Sequence, residues 1–293
     1  MNEEYQISDP TFRSAVAAID AGHVDQLSAL LASHPDLVRQ RLDHPDTGYF
    51  QHPYLLYFIA DNPIRHPRLP DNIVDVAKIL IAAVKQYAPE SLQQQLNYTL
   101  GLVESGRIPK ECGVQIPLME LLIDEGAKPG EGMPALAHRN LEACKYLLAR
   151  GGPLTLTVAI CIDQEDKLES LAATADKREL QRALMAASFY GKADRVGWLL
   201  SLGADPNVYL DPSSGFHHHA SALHQAVWSG SIETVQVLVD AGANLSATDR
   251  GYDGRPVDWT FHMTDENSAD EWQAKVLQVR EFLERAMNAE NKG

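Results

Sequence analysis

Two segments of this chain carry the same pattern at the same spacing. The first is Arg182-Ala183-Leu184-Met185-Ala186-Ala187-Ser188-Phe189-Tyr190-Gly191, then Val196-Gly197-Trp198-Leu199-Leu200-Ser201-Leu202-Gly203-Ala204-Asp205-Pro206-Asn207. The second is Ser221-Ala222-Leu223-His224-Gln225-Ala226-Val227-Trp228-Ser229-Gly230, then Ser231-Ile232-Glu233-Thr234-Val235-Gln236-Val237-Leu238-Val239-Asp240-Ala241-Gly242-Ala243-Asn244. Each copy reads as a short helix, a glycine turn, a second helix with one apolar face and a glycine stop. Gly191 and Gly203 are 12 residues apart, as are Gly230 and Gly242. A fixed internal spacing of this kind predicts stacked helix pairs, each burying a face against its neighbours, rather than one globular core.

The second copy closely resembles one ankyrin repeat, whose pattern runs T-P-L-H-x-A, a glycine, V-V-x-L-L, then G-A-D/N. The resemblance implies an all-α ankyrin-repeat solenoid of about seven to eight helix pairs. Its motifs are specific only from about Leu180 to Trp259. In the family the T-P-L-H histidine joins a hydrogen-bond network to neighbouring backbone, so His224 is expected to be structural, while Met185 stands in its place one repeat earlier. Alanines such as Ala186-Ala187 let adjacent first helices approach, Leu199-Leu200 and Leu238-Val239 fill the space between layers, and Gly203 and Gly242 stop their helices.

Weaker units precede these two. Ser8-Asp9-Pro10 predicts an N-cap with proline in the first turn, leading through Phe12, Val16 and Ile19 to Ala21-Gly22. A second helix over Val24 to Ala32 is expected to bury Leu27, Leu30 and Leu31. The next unit is swollen. Its helices fall at Pro53–Ala60 and Asn72–Ile81, with the Pro-rich Asp61–Pro70 insertion between them and a turn or finger at Thr47–His52 before them. Further helices are expected at Leu92–Glu104, Ile116–Ala127, Pro134–His138, Leu141–Gly151, Thr157–Ile162 and Asp166–Ala175. From Leu184 to Leu223 is 39 residues, about six beyond the usual period near 33. The excess sits in Tyr209–His219. A last degenerate unit spans Tyr252–Trp259, and Ala269 to about Ala289 reads as a capping helix with a polar outer face. The expected organisation is one elongated domain over 1–293. It comprises divergent repeats with insertions (1–130), short degenerate repeats (131–179), clear repeats (180–268) and a C-terminal cap (269–293).

The 293 residues carry a net charge of −15 and are 45% hydrophobic, ample for a continuous core. Such acidity argues against nucleic acid as a partner, since phosphate contacts need Lys and Arg. It suits a basic protein partner or simply solubility. Cys112, Cys144 and Cys161 are an odd number at wide spacings, which indicates neither a disulfide framework nor a zinc knuckle. Met1–Gln6 is acidic and lacks an apolar core, so no secretory signal is expected, and no stretch has the uncharged length of a membrane span. A cytoplasmic monomer without membrane contact is the expectation.

No catalytic motif is present: there is no P-loop, G-x-G-x-x-G, G-x-S-x-G, H-E-x-x-H or EF-hand pattern. Acidic groups such as Asp163 with Glu165-Asp166 and Asp265-Glu266 read as helix caps. The run His217-His218-His219 could ligate a metal, with Asp211 or His224, but consecutive residues do not converge on one ion without a special loop. An exposed turn is therefore expected there, with no metal and no cofactor. The resemblance implies specific protein binding through a concave face, with no chemistry of its own. Large aromatics fall at that face: Phe189, Tyr190 and Trp228 beside the turn glycines, Tyr209 and Phe216 in the enlarged finger, and Tyr252 and Trp259 beyond. In register on successive repeats they make a candidate interface. A finger of this length could equally fold back and cover them. Tyr49, Phe50, His52, Arg65, His66 and Arg68 form a second candidate surface, locally basic in an acidic chain, or else a structural clasp. Two other functions stay open. One is an acidic inhibitor neutralising a basic enzyme; the other is an enzyme or a metal- or small-molecule-responsive switch with a pocket near the insertions.

Overall fold

Asp9 starts the first helix: its carboxylate accepts the Thr11 and Phe12 amides at 2.8 and 3.0 Å, and Pro10 occupies the first helical position, where no amide is needed. The computed structural model describes residues 7–43, 48–264 and 269–290. The Met1–Gln6 start, Thr47 of the expected finger and the Asp265-Glu266 pair lie outside them. All regular structure among the described residues is helical, apart from one isolated bridge between Arg41 and Tyr54. The chain divides into two compact units, Met1–Pro153 and Leu154–Gly293.

Unit 1 contains α1 (Pro10–Asp20), α2 (Val24–Ser33), a 3-10 helix over Leu55–Ala60, α3 (Ile73–Tyr87) and α4 (Leu92–Ser105). It continues with α5 (Arg107–Glu111), α6 (Gln115–Asp124), α7 (Met133–Ala137) and α8 (Leu141–Ala149). The first helices of successive pairs form one row, α1 on the 3-10 helix, that helix on α4, and α4 on α7. The second helices α2, α3, α6 and α8 form another. The expected segments all appear, with α3 running further and Leu30 only half-buried. The short α5, which sequence periodicity does not announce, turns the chain between α4 and α6.

Unit 2 contains α9 (Leu156–Cys161), α10 (Leu168–Ala172), α11 (Lys177–Phe189), α12 (Ala193–Ser201), α13 (Ala222–Ser229), α14 (Ile232–Asp240), α15 (Pro256–Trp259) and α16 (Asp270–Glu290). Here α9, α11, α13 and α15 form the first-helix row, and α12, α14 and α16 pack beside it. Ala183, Ala187, Ala222 and Ala226 are wholly buried, so α11 and α13 approach without bulky side chains between them. Leu199, Val235 and Leu238, also wholly buried, fill the space behind, each worth about 1.5–3 kcal/mol of burial. The last helix caps this core with Val276, Val279 and Leu283. Gly230 has φ +71°, and a Cβ there would lie 2.6 Å from the Trp272 ring, so glycine is required both by the turn and by the capping helix.

Candidate functional site

The face formed by the ends of α11 and α13 and by the two loops that follow α12 and α14 is built around two buried polar residues. His224 is fully buried. Its Nε2 lies 3.0 Å from the Gly254 carbonyl, which only accepts, so Nε2 carries the proton. The unprotonated Nδ1 accepts from Ser221, whose hydroxyl is 2.7 Å away and whose amide is 3.3 Å away. Burial holds the imidazole below its ordinary value, which keeps it neutral. The structural role expected from its motif position matches this geometry.

Asp249, 1% exposed, was not anticipated from the sequence. Its carboxylate accepts the amides of Gly251 (2.8 Å), Tyr252 (2.7 Å) and Gly254 (3.1 Å) and the Trp259 indole N–H (2.9 Å). Burial alone would raise its pKa; the Trp259 and backbone donors outweigh this and hold it below the usual carboxylate range. One side chain thus shapes the 249–254 turn and aims the Trp259 ring. A turn aspartate before Gly-x-x-Gly is the signal that could have shown it.

The enlarged finger folds back on the repeat, which corrects part of the aromatic expectation. Asp211 caps a 3-10 helix over Pro212–Ser214, Gly215 turns the chain, and Phe216 enters the core at 1% exposure. Phe216 meets Phe189 edge-on at 5.6 Å, and Phe189 is itself 3% exposed. These two rings are therefore core, not contact surface: a 3-10 turn this close to α11 stays ordered only by burying apolar area. The finger then lays His217 on Phe189, centroids 4.4 Å apart, and stacks His219 on Trp259 at 6.1 Å and 20°. The three imidazoles are half-buried, and the His219 ring also meets those of His217 at 5.9 Å and His218 at 6.4 Å. Among the described residues no group of three or more His, Cys, Asp or Glu is arranged to hold a metal ion. Tyr209 donates to the Thr248 carbonyl at 2.6 Å beneath the Arg250 guanidinium, linking the two loops.

What remains outward is Trp228, 46% exposed and edge-on to Trp259 at 6.3 Å; Tyr190, Tyr209 and Trp259 are half-buried and Tyr252 is almost fully exposed.

The second candidate surface changes more. Phe50 is buried against Phe58 at 5.4 Å. The Arg65 guanidinium lies over the Phe58 ring at 4.8 Å, 2.6 Å from Asp20 and 3.5 Å from Asp61. His66 faces the same two carboxylates, at 3.7 and 3.5 Å, and Arg68 pairs with Asp71. His52 is half-buried, with Nδ1 3.0 Å from the Leu42 carbonyl. The local basicity is thus largely neutralised, and the Asp61–Pro70 insertion is held onto α1 as a clasp; Tyr49, His66 and Arg68 alone of the six are exposed. Sequence reasoning missed a neighbouring group, Arg41, Tyr54, Tyr57 and Tyr98, because distant segments assemble it.

No helix among the described residues is long and apolar enough to cross a membrane. Residues 112–249 match a family model described as ankyrin repeats, in three copies. Among solved structures the chain is similar to the human ASB11 ankyrin repeat domain, with 15% identity, 92% of this chain and 97% of that chain covered, and a TM-score of 0.32. No curated protein matches the sequence.

Proposed function

We propose that this all-α chain, whose residues 112–249 match ankyrin repeats, is a protein-binding module, without chemistry of its own, that engages its partner through the Trp228 face of unit 2. Ankyrin repeats are generally protein–protein interaction modules, which sets the class; the face is our own assignment. One observation carries it: a tryptophan left 46% exposed where Phe189 and Phe216 of the same surface are buried. Its edge contact with Trp259, itself fixed by Asp249, leaves the indole little freedom to lose on binding. Rigid, partly exposed tryptophans flanked by tyrosines supply the anchors on which interfaces depend. The proposal includes action as a monomer in the cytoplasm.

The test is affinity purification from the native host with wild-type bait beside a Tyr190→Ala/Trp228→Ala variant shown by circular dichroism to be folded. A specific protein lost with the variant is the expected result. Against that purified partner, Trp228→Ala alone should weaken binding by about 30-fold or more, as a hot-spot tryptophan does. Equal capture by both baits would place the interface elsewhere. No specific capture by either would reject the binding-module reading.

A further inference from the structure

Three tyrosines meet where the 3-10 helix Leu55–Ala60 lies on α4. Tyr57 stacks on Tyr98 with centroids 4.7 Å apart and planes at 25°, and it meets Tyr54 edge-on at 5.6 Å. Arg41 lies 5.4 Å over the Tyr54 ring. Its Nε donates to the His52 carbonyl at 2.8 Å, and its Nη2 lies 3.5 Å from the Gln51 carbonyl. Backbone thus anchors this arginine, and among the described residues no carboxylate lies within ion-pair distance of it. The hydroxyls of Tyr54, Tyr57 and Tyr98 have no hydrogen-bond partner among the described residues either. Burial, and then the neighbouring tyrosines, push the Tyr57 phenol far above its ordinary value, so it keeps its proton.

Tyr49 bounds the other side. Its hydroxyl donates to Asn62 Oδ1 at 2.9 Å, and Asn62 Nδ2 donates to the Leu102 carbonyl at 2.9 Å and to Ser105 Oγ at 3.1 Å. On α4 between Tyr98 and Ser105 stands Gly101, where a Cβ would meet nothing within 4 Å. A glycine inside a helix weakens it. Here neither positive φ nor packing calls for one, so its effect is to bare the α4 backbone next to the tyrosines.

We propose that this face of unit 1 binds an acidic segment of a partner protein, seating a carboxylate on Arg41 and the tyrosine hydroxyls while the peptide passes over Gly101. The proposal rests on the protein-binding reading but uses a different unit and different side chains. The net charge of −15 does not forbid it. Exposed charges beyond a Debye length of about 8 Å are largely screened at physiological salt, so the unpaired guanidinium at contact distance decides. A single arginine is too few for nucleic acid and lacks the clustered arginines of phosphate-reading sites. Guanidinium and neutral phenols together suit a carboxylate, which accepts several donors at once.

A display library of random short peptides, selected on the full chain, tests this. Selected peptides should be enriched in Asp and Glu. A synthetic Glu-bearing peptide from that set should bind the wild type and Trp228→Ala alike, and lose about tenfold or more with Arg41→Gln. Tyr98→Phe should weaken it less, and Arg41→Lys should retain part of the binding. Gly101→Ala should also weaken binding while its melting temperature rises, which separates obstruction from misfolding. Selection of no peptide, or of peptides without acidic enrichment, would overturn the proposal. So would a phosphoserine replacement of the Glu that binds more tightly than the parent peptide. Binding lost with Trp228→Ala but indifferent to Arg41→Gln would overturn it while supporting the unit 2 face.

Discussion

In unit 2, motif residues close the backbone groups that one repeat leaves open for the next. His224 reaches Gly254; Gln181 both donates to the Asp205 carbonyl and accepts its amide; Asn207 donates to the Gly242 carbonyl while accepting the Asn244 amide. In unit 1 Gln93 and Asn97 still close the Gly126 carbonyl and the Lys128 amide, but buried amides take over much of the task. Gln95 donates to Val38, Gln115 to the carbonyls of Val103, Glu104 and Gly106, and Asn140 to Glu104 and to Gln115 Oε1. Helix-pair rows of the same kind are therefore held in two chemically different ways. Regular repeats satisfy their backbone locally and leave an apolar core. Irregular ones bring unpaired carbonyls inward and need side-chain donors among the core residues.

The sharpest consequence is titratable. Glu104 lies in the amide group of unit 1 at 4% exposure, and burial pushes its carboxyl up to about 8, partly offset by the Ala135 amide. Below the ordinary carboxylate range both folded and unfolded chains hold the proton, and the full contribution to stability is present. As pH rises towards about 8 only the unfolded chain ionises, so the wild type should lose roughly 4 kcal/mol over that interval relative to Glu104→Gln. Urea unfolding at stepped pH measures this. Parallel curves for the two proteins would mean that the folded chain ionises as readily as the unfolded one.

A smaller effect compares the two schemes directly. Asp249→Ala removes the acceptor from four donors and should cost about 3 kcal/mol, with a shift in Trp259 fluorescence. Asn140→Ala removes two donated bonds, but also a buried Oδ1 that has no partner, and should cost about 1–2 kcal/mol. If the order reverses, the amide group of unit 1 is the more stabilising of the two. Smallest, and opposite in sign, is Gly101→Ala, expected to stabilise by about 1 kcal/mol in thermal melts because the helix gains and no clash is met.

Much of this architecture was legible in the residue order. The helix pairs of unit 2 follow from glycine spacing and 3.6-residue periodicity, and the role of His224 followed from its motif position. In unit 1 the helices were legible but their stabilisation was not: Gln95, Gln115 and Asn140 look like ordinary surface amides until the chain brings Val38, Val103 and Glu104 to them. The candidate sites divide in the same way. Trp228 and Tyr252 stayed at the surface, whereas Phe189, Phe216, Phe50 and most of Arg65 went inside.

Local pattern determined which segments are helical, where they stop and that they stack, because capping, propensity and amphipathic period act over a few residues. Only the tertiary structure decided which aromatics are core and which are surface, and which distant groups meet: Tyr57 with Tyr98, Asn140 with Glu104, His219 with Trp259. Burial is a property of neighbours. A loop such as 209–219 buries or bares a ring according to how it folds back, and no spacing along the chain encodes that.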